Sequence, residues 1–326
     1  MSIAHSLGPN LLPALHEATQ GRLSDVRFFK SDWQRGGAST ASALFTADDN
    51  RPRPCIVKLP VGWTEYRWTT AVADFTRARG LTPCTPAVLA AGVTLGDYDF
   101  AWLVIERLAD HPVAARLTAE DVHDMVRAAA AFHHAAEHVR LPEGPLPPSP
   151  DLEKVMERSR EVVRRAHMPD EQRWVNQLKA VHRVLPTLLA RWNNRPVNAW
   201  CHGDLHAGNA MRRAAPPGSA ATTRGQCVLI DLALVHPGHW LEDAIYFERV
   251  YWGHPELLHG VNILKEMSAA RRALGLQCIG DYGQLANTRR VLAAACAPAL
   301  VEREGNPRYL TYALELIERL LPAVAH

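Results

Sequence analysis

Apolar positions recur with two different periods along this chain. Over the first hundred residues the apolar runs are short: Phe28-Phe29, Ala43-Leu44-Phe45, Cys55-Ile56-Val57, Ala87-Val88-Leu89-Ala90-Ala91 and the stretch 100–105. Polar or Gly/Pro-containing turns separate them, which is the pattern of four or five strands joined by loops. One helix, 65–79, interrupts them, with Tyr66, Ala71, Val72 and Phe75 as packing positions. From Thr118 the period becomes helical. Val122, Met125, Val126, Ala129, Ala130 and Phe132 supply apolar positions on a helix over 118–138, opened by Thr118-Ala119-Glu120-Asp121. Further helices are expected at 152–167, 172–192, 240–252, 255–274, 280–299 and 308–324, with Pro186 kinking or ending one of them. The layout is α+β: a small β-rich lobe over residues 1–105 and a larger α-rich lobe over 106–326.

Composition narrows the function. With 326 residues, 47% of them hydrophobic, the chain can bury a real core. Its formal net charge of +2 argues against a dedicated nucleic-acid binder. Six cysteines without a C-x-x-C pair suit reduced thiols rather than a disulfide framework or a structural zinc site. Residues 1–22 contain no continuous signal-peptide core, and no apolar run reaches the roughly 18 to 20 residues of a membrane span. A soluble cytoplasmic protein with no membrane partner is the expectation; the sequence leaves its oligomeric state open.

The candidate chemistry concentrates in 200–243. His202, Asp204 and His206 would share one face of an extended strand and, with Asp231, could ligate a metal for hydrolysis. Gly203 and the Gly208-Asn209 turn make a loop more natural there. The other reading uses spacing: Asp204, then Asn209 five residues on, then Asp231 after the apolar run Val228-Leu229-Ile230 is the arrangement of phosphoryl-transfer sites. Such a site needs one carboxylate near the attacking hydroxyl and hard oxygen donors for Mg²⁺. Upstream, Gly36-Gly37-Ala38-Ser39 permits a tight turn with close backbone approach to a ligand. Lys58 shares a strand face with Ile56 and either snorkels or aims at an anion, and Glu65 can reach back to it.

The run His202-Gly203-Asp204-Leu205-His206-Ala207-Gly208-Asn209, followed by Ile230-Asp231 and Gly238 to Asp243, resembles the signature of the aminoglycoside phosphotransferase and choline kinase-like family. The resemblance extends over residues 25–250. It implies a two-lobed protein-kinase-like fold, with an antiparallel β-rich N-lobe, a helical C-lobe and ATP between them. By that resemblance Asp204 is the catalytic carboxylate, and Asn209 and Asp231 bind Mg²⁺. Lys58 holds the α and β phosphates and Glu65 orients it. Gly36, Gly37, Ala38, Ser39 and Glu106 complete the nucleotide site, and Asp243 braces the catalytic loop through its backbone. The implied function is transfer of the ATP γ-phosphoryl group to a hydroxyl of a small molecule: a sugar, an amino alcohol or an aminoglycoside. Glu242, Glu248 and Glu256 are the local carboxylates available to a cationic acceptor, and Tyr246, Phe247, Tyr251 and Trp252 are either pocket aromatics or core. The rivals are a nucleotide-binding pseudokinase, disfavoured by the intact Lys58, Asp204, Asn209 and Asp231, and a metallohydrolase built on His202, Asp204 and His206.

Overall fold

The computed structural model describes residues 8–29, 39–108, 111–139, 151–166, 168–214, 225–278, 280, 282–301 and 306–325. Its elements are α1 Leu12–Ala18, β1 Leu23–Phe29, β2 Ser39–Thr46, β3 Pro52–Val61, α2 Trp63–Ala78, β4 Val88–Gly92, β5 Ala101–Glu106, α3 Ala119–His138, α4 Leu152–Arg165 and α5 Glu171–Asn193. There follow β6 Ala199–Cys201, β7 Ala210–Arg212, β8 Cys227–Leu229, β9 His236–Gly238, α6 Leu241–Val250, α7 Ile263–Ala273, α8 Tyr282–Ala295, α9 Ala297–Val301 and α10 Pro307–Val324. They form two compact units. One gathers Met1–Ala115, His134–Gly144 and Ala207–Val235; the other gathers Arg116–His133, Pro145–His206 and His236–His326.

In the first unit β1, β2, β3, β5 and β4 form, in that order, an antiparallel five-stranded sheet. Alternation along β3 assigns its faces. Cys55, Val57 and Leu59 point into a core with Ala41, Phe45, Trp102, Val104, Leu15 of α1 and Leu11, which caps that helix. Ile56 faces the other way, against Val61, Leu103, Ile105 and Tyr66 of α2. The small hairpin β7–β8 is tied in by Leu229 N, which donates to Cys84 O at 2.8 Å.

The second unit is helical, apart from the short ladder β6–β9. Helix α5 buries Trp174, Leu178, Val181, Leu185, Leu188 and Trp192, one stripe at helical spacing, and α10 buries Leu310, Ala313, Leu314, Ile317 and Leu321. No helix among the described residues is long and apolar enough to cross a membrane. All six cysteines are free thiols.

Of the two outcomes expected at Pro186, the helix does not end there: Pro186 lies inside α5, which runs on to Asn193, with its ring exposed. Three expectations are corrected. Helix α1 adds a second helix to the first hundred residues, where one was expected; it is only 7 residues long, with Leu15 its buried side chain. The helix expected over 255–274 is a 3-10 turn, Pro255–Leu258, then a break, then α7. His259 and Gly260 have φ of 50° and 74°, which ends helical geometry, and Asn262 caps α7 by accepting from Lys265 N at 3.0 Å. The stretch 280–299 likewise divides, into α8 and α9 around Cys296.

Candidate active site

Within the second unit, β6 and β9 pair with Ala199 opposite Gly238 and Cys201 opposite His236. A Cβ at position 238 would lie 2.5 Å from Glu242 Oε1 and 3.1 Å from Cys201 Sγ, so glycine there lets the Glu242 carboxylate lie against the ladder. Beyond Cys201 the chain turns at Gly203, whose φ of 82° favours glycine. Asp243, in the first turn of α6, holds this turn in place. Its carboxylate accepts from His202 N at 2.7 Å, Gly203 N at 2.9 Å and His133 Nε2 of α3 at 2.9 Å.

Both members of the His133–Asp243 pair are buried. Burial alone raises the Asp243 carboxyl, but the hydrogen bonds it accepts from His133 and the Gly203 amide more than offset it, leaving it below the ordinary carboxylate range. Burial pushes His133 down despite the carboxylate. A neutral imidazole therefore donates its Nε2–H to an ionised Asp243. The buried Nδ1 has no hydrogen-bond partner, which suits a bare lone pair better than a second N–H.

Asp204 follows Gly203. Its Oδ1 accepts from the Tyr246 hydroxyl of α6, and His206 Nε2 lies 3.6 Å from Oδ2. Its amide donates to His202 Nδ1 at 3.3 Å, and the His202 ring is fully buried, edge-on to Phe132 at 6.0 Å. His202 is thus a loop-shaping residue. The expected trio His202, Asp204 and His206 does not form a ligand cluster. Among the described residues the grouping that brings three ligand atoms together is Cys201, His236 and Glu242. Burial, with the Asp243 and Glu242 carboxylates, pushes the Cys201 thiol well up, and it donates to His239 O at 3.3 Å. Glu242 accepts from Arg195 Nε at 2.9 Å and from His239 N at 2.8 Å. That cluster is a packed network, not an open metal site.

A cavity of about 470 Å³ opens beside the loop, lined by Gly203, Asp243, Tyr246 and Trp192 together with Arg195, Arg249 and Arg289. The glutamates expected to greet a cationic acceptor are spoken for: Glu242 by Arg195, Glu248 by Arg290 through two bonds of 2.9 and 2.7 Å, and Glu256 by His254 at 3.2 Å and Arg308 at 3.4 Å. Of the four candidate aromatics, Phe247 and Trp252 are core, while Tyr246 lines the cavity. The bond from Tyr246 to Asp204 and the arginine lining escaped sequence reasoning. The one signal was Tyr246 and Arg249 at i and i+3 of a helix, which share a face.

In the first unit Lys58 and Glu65 form an ion pair, with side chains 23% and 14% exposed. Lys58 occupies the centre of the sheet, opposite Thr40 on β2 and Leu103 on β5, on the face it shares with Ile56. Glu65 sits in the first turn of α2, where a carboxylate also complements the helix dipole. Asn209 ends a 3-10 turn and is buried, and its carbonyl accepts from Ile230 N at 2.9 Å, which seats it against the residue before Asp231. Asp231 is exposed and left-handed, with φ 63° and ψ 68°. Such a conformation in a non-glycine residue is sparsely populated and is held by its surroundings, here the following turn packed on α2. An amide oxygen and a carboxylate are the hard donors a small divalent cation prefers, so the pair fits Mg²⁺. Of the expected nucleotide loop, Ser39 begins β2, while Gly36, Gly37 and Ala38 lie outside the described residues. The Glu106 carboxylate is engaged by Ala87 N at 2.8 Å and by Arg213, whose Nη2 lies at 2.5 Å.

A model of the phosphotransferase enzyme family matches residues 35–276. None of the curated proteins matches the sequence. Among solved structures, an aminoglycoside phosphotransferase from Alicyclobacillus acidocaldarius subsp. acidocaldarius DSM 446 superposes with a TM-score of 0.58 at 14% identity, over 91% of each chain. The amicoumacin kinase hAmiN, in complex with AMP-PNP, Ca²⁺ and Ami, superposes with a TM-score of 0.54 at 11% identity, over 95% of this chain and 96% of that one. An AMP-bound spectinomycin phosphotransferase gives a TM-score of 0.54 at 12% identity, over 95% and 98%. At these identities the likeness establishes the fold, a two-lobed protein-kinase-like one.

Proposed function

The chain belongs to the phosphotransferase enzyme family and is a small-molecule kinase, and from that premise we propose that it moves the γ-phosphoryl group of ATP, with Mg²⁺, to a hydroxyl of a small molecule. Residues 1–105 serve the nucleotide, and residues 106–326 serve catalysis and the acceptor. Asp204 is the catalytic carboxylate: it orients the acceptor hydroxyl and takes its proton late, as the new O–P bond forms and the bond to ADP breaks. The observation that carries this reading is the clamping of the Asp204 loop. Two amides of the loop are fixed by Asp243, and the Asp204 carboxylate itself is aimed by Tyr246 beside a cavity.

Lys58, positioned by Glu65, would contact the α and β phosphates, with Gly36, Gly37, Ala38 and Ser39 over the nucleotide. The Glu106 carboxylate is engaged by Ala87 N and Arg213 and its amide donates to Ala87 O at 2.9 Å, so its place at the nucleotide is as the residue that ends β5. Asn209 and Asp231 would hold the metal. Bound Mg²⁺ supplies charge neutralisation on the transferred group, whose transition state is loose and depends on alignment and electrostatics.

A screen of sugars, amino alcohols, hydroxy acids and aminoglycosides for ATP-dependent phosphorylation tests the proposal. The expected result is Mg²⁺-dependent ADP release matched by a phosphorylated acceptor. No phosphorylated product across the panel, combined with no binding of AMP-PNP, would refute it.

A further inference from the structure

The cavity beside the Asp204 loop brings together three guanidinium groups and four carboxylates, of which one, Glu242, forms an ion pair with an arginine of the wall. Arg195 and Arg289 place their Cζ atoms 4.2 and 4.8 Å from the centre of the same Trp192 ring, and Arg249 lies 5.0 Å from that of Tyr246. An aromatic face orients a guanidinium without supplying a counter-charge that cancels it. Arg195 has Glu242 as its partner. Among the described residues Arg249 and Arg289 have no carboxylate within ion-pair distance, and both are half-buried.

The other acids on the wall, Asp151, Glu153 and Asp243, form no ion pair with Arg249 or Arg289. Asp243 accepts from His133 and two loop amides. Asp151 caps α4 by accepting from Lys154 N at 3.1 Å, and Glu153 is exposed. Burial pushes the Arg289 guanidinium down from its ordinary value; Glu242 opposes this, and the charges of Arg249 and Arg195 add to it. Cations crowded onto one concave wall repel each other, and a bound anion relieves them.

Resting on the reading of Asp204 as the group that faces the acceptor, we infer that this cavity is the acceptor subsite for an anionic group, a carboxylate or a phosphate, gripped by Arg249 and Arg289. The acceptor is then a hydroxy acid or a phosphorylated alcohol, not a polycation. A guanidinium fork matches the two oxygens of a carboxylate or a pair of oxygens of a tetrahedral phosphate.

Calorimetric titration with matched probes separates the alternatives: glycerate, glycerol 3-phosphate and glycerol, each added to protein saturated with Mg²⁺ and AMP-PNP so that phosphate-binding groups on the nucleotide side are blocked. At least one of the two anions is expected to bind 1:1 and about tenfold or more tighter than glycerol, and the stronger of them identifies carboxylate or phosphate. Arg249→Gln and Arg289→Gln should each weaken that binding about tenfold while the AMP-PNP affinity stays unchanged. Arg289→Lys, which keeps the charge and loses the fork, serves if Arg289→Gln fails to fold, and it should weaken binding less. Equal affinity for glycerol and the anions, no anion binding at all, or anion binding untouched by both substitutions would overturn the inference. Absence of AMP-PNP binding would count against the kinase reading instead, and the anion titration is then read on the nucleotide-free protein.

Discussion

Asp243 and Asp231 are two carboxylates of one sequence signature set in opposite surroundings. Asp243 is fully buried, accepts three hydrogen bonds and has a depressed pKa. Asp231 is exposed and held in a left-handed backbone conformation, and its side chain makes no capping bond to the turn that follows. A carboxylate that accepts three hydrogen bonds inside the fold builds the site. One presented to solvent on a constrained backbone remains available to a ligand. Mutation should therefore separate the two: loss of Asp243 acts on stability, loss of Asp231 on binding.

The largest effect is expected from Asp243→Ala. It leaves two loop amides and His133 without their buried acceptor, and at about 1–3 kcal/mol for each unsatisfied buried donor a destabilisation of about 3 kcal/mol or more should appear in urea denaturation. Unchanged stability would break the comparison. Asp231→Ala should cost about 10²–10³-fold in turnover, with Mg²⁺-dependent AMP-PNP affinity falling and the denaturation midpoint nearly unmoved, as befits an exposed position.

Acid should act on the buried side of the comparison. In the unfolded chain the imidazoles of His133 and His239 take up protons near 6.5; in the folded chain His133 stays neutral and His239 is lowered to about 4, chiefly by burial. The unfolded state then binds more protons, so stability is full above about pH 6.5 and falls as pH drops towards 4, by up to about 3 kcal/mol from His239 alone. Asp243, also depressed, adds a loss of the same sign at the acid end, as pH falls through its folded value. Denaturation at pH about 7.5, 5.5 and 4.5 measures this, and a flat profile would contradict it. The smallest effect is expected from Glu65→Gln, which keeps the hydrogen bond to Lys58 but removes the charge: KM for ATP should rise by about tenfold or less, with stability within about 1 kcal/mol.

Much of this was legible in the sequence because local chemistry fixed it. Lys58 and Ile56 share a strand face by simple alternation, and the helix start at Glu65 brings a carboxylate back to that lysine. Gly203 could be placed in a loop because a strand would waste it, and its positive φ agrees. What stayed hidden depends on long-range packing. Nothing local announces that His133 will meet Asp243 across the second unit, or that Arg195 and Arg289 will flank one tryptophan. Glu242 and Glu248 read as free acids in sequence because their arginine partners lie far away along the chain. The break at His259 and Gly260 was obscured by apolar residues that continue on both sides of it.

The most direct test of the account is the paired measurement of turnover and nucleotide affinity in Asp204→Asn, using whichever acceptor the screen identifies. The expected result is a loss of about 10²–10⁴-fold in kcat, since the carboxylate acts on the acceptor hydroxyl, with Mg²⁺-dependent AMP-PNP affinity unchanged within about twofold. Full activity in that variant, or loss of activity caused wholly by lost nucleotide binding, would contradict the assignment of Asp204.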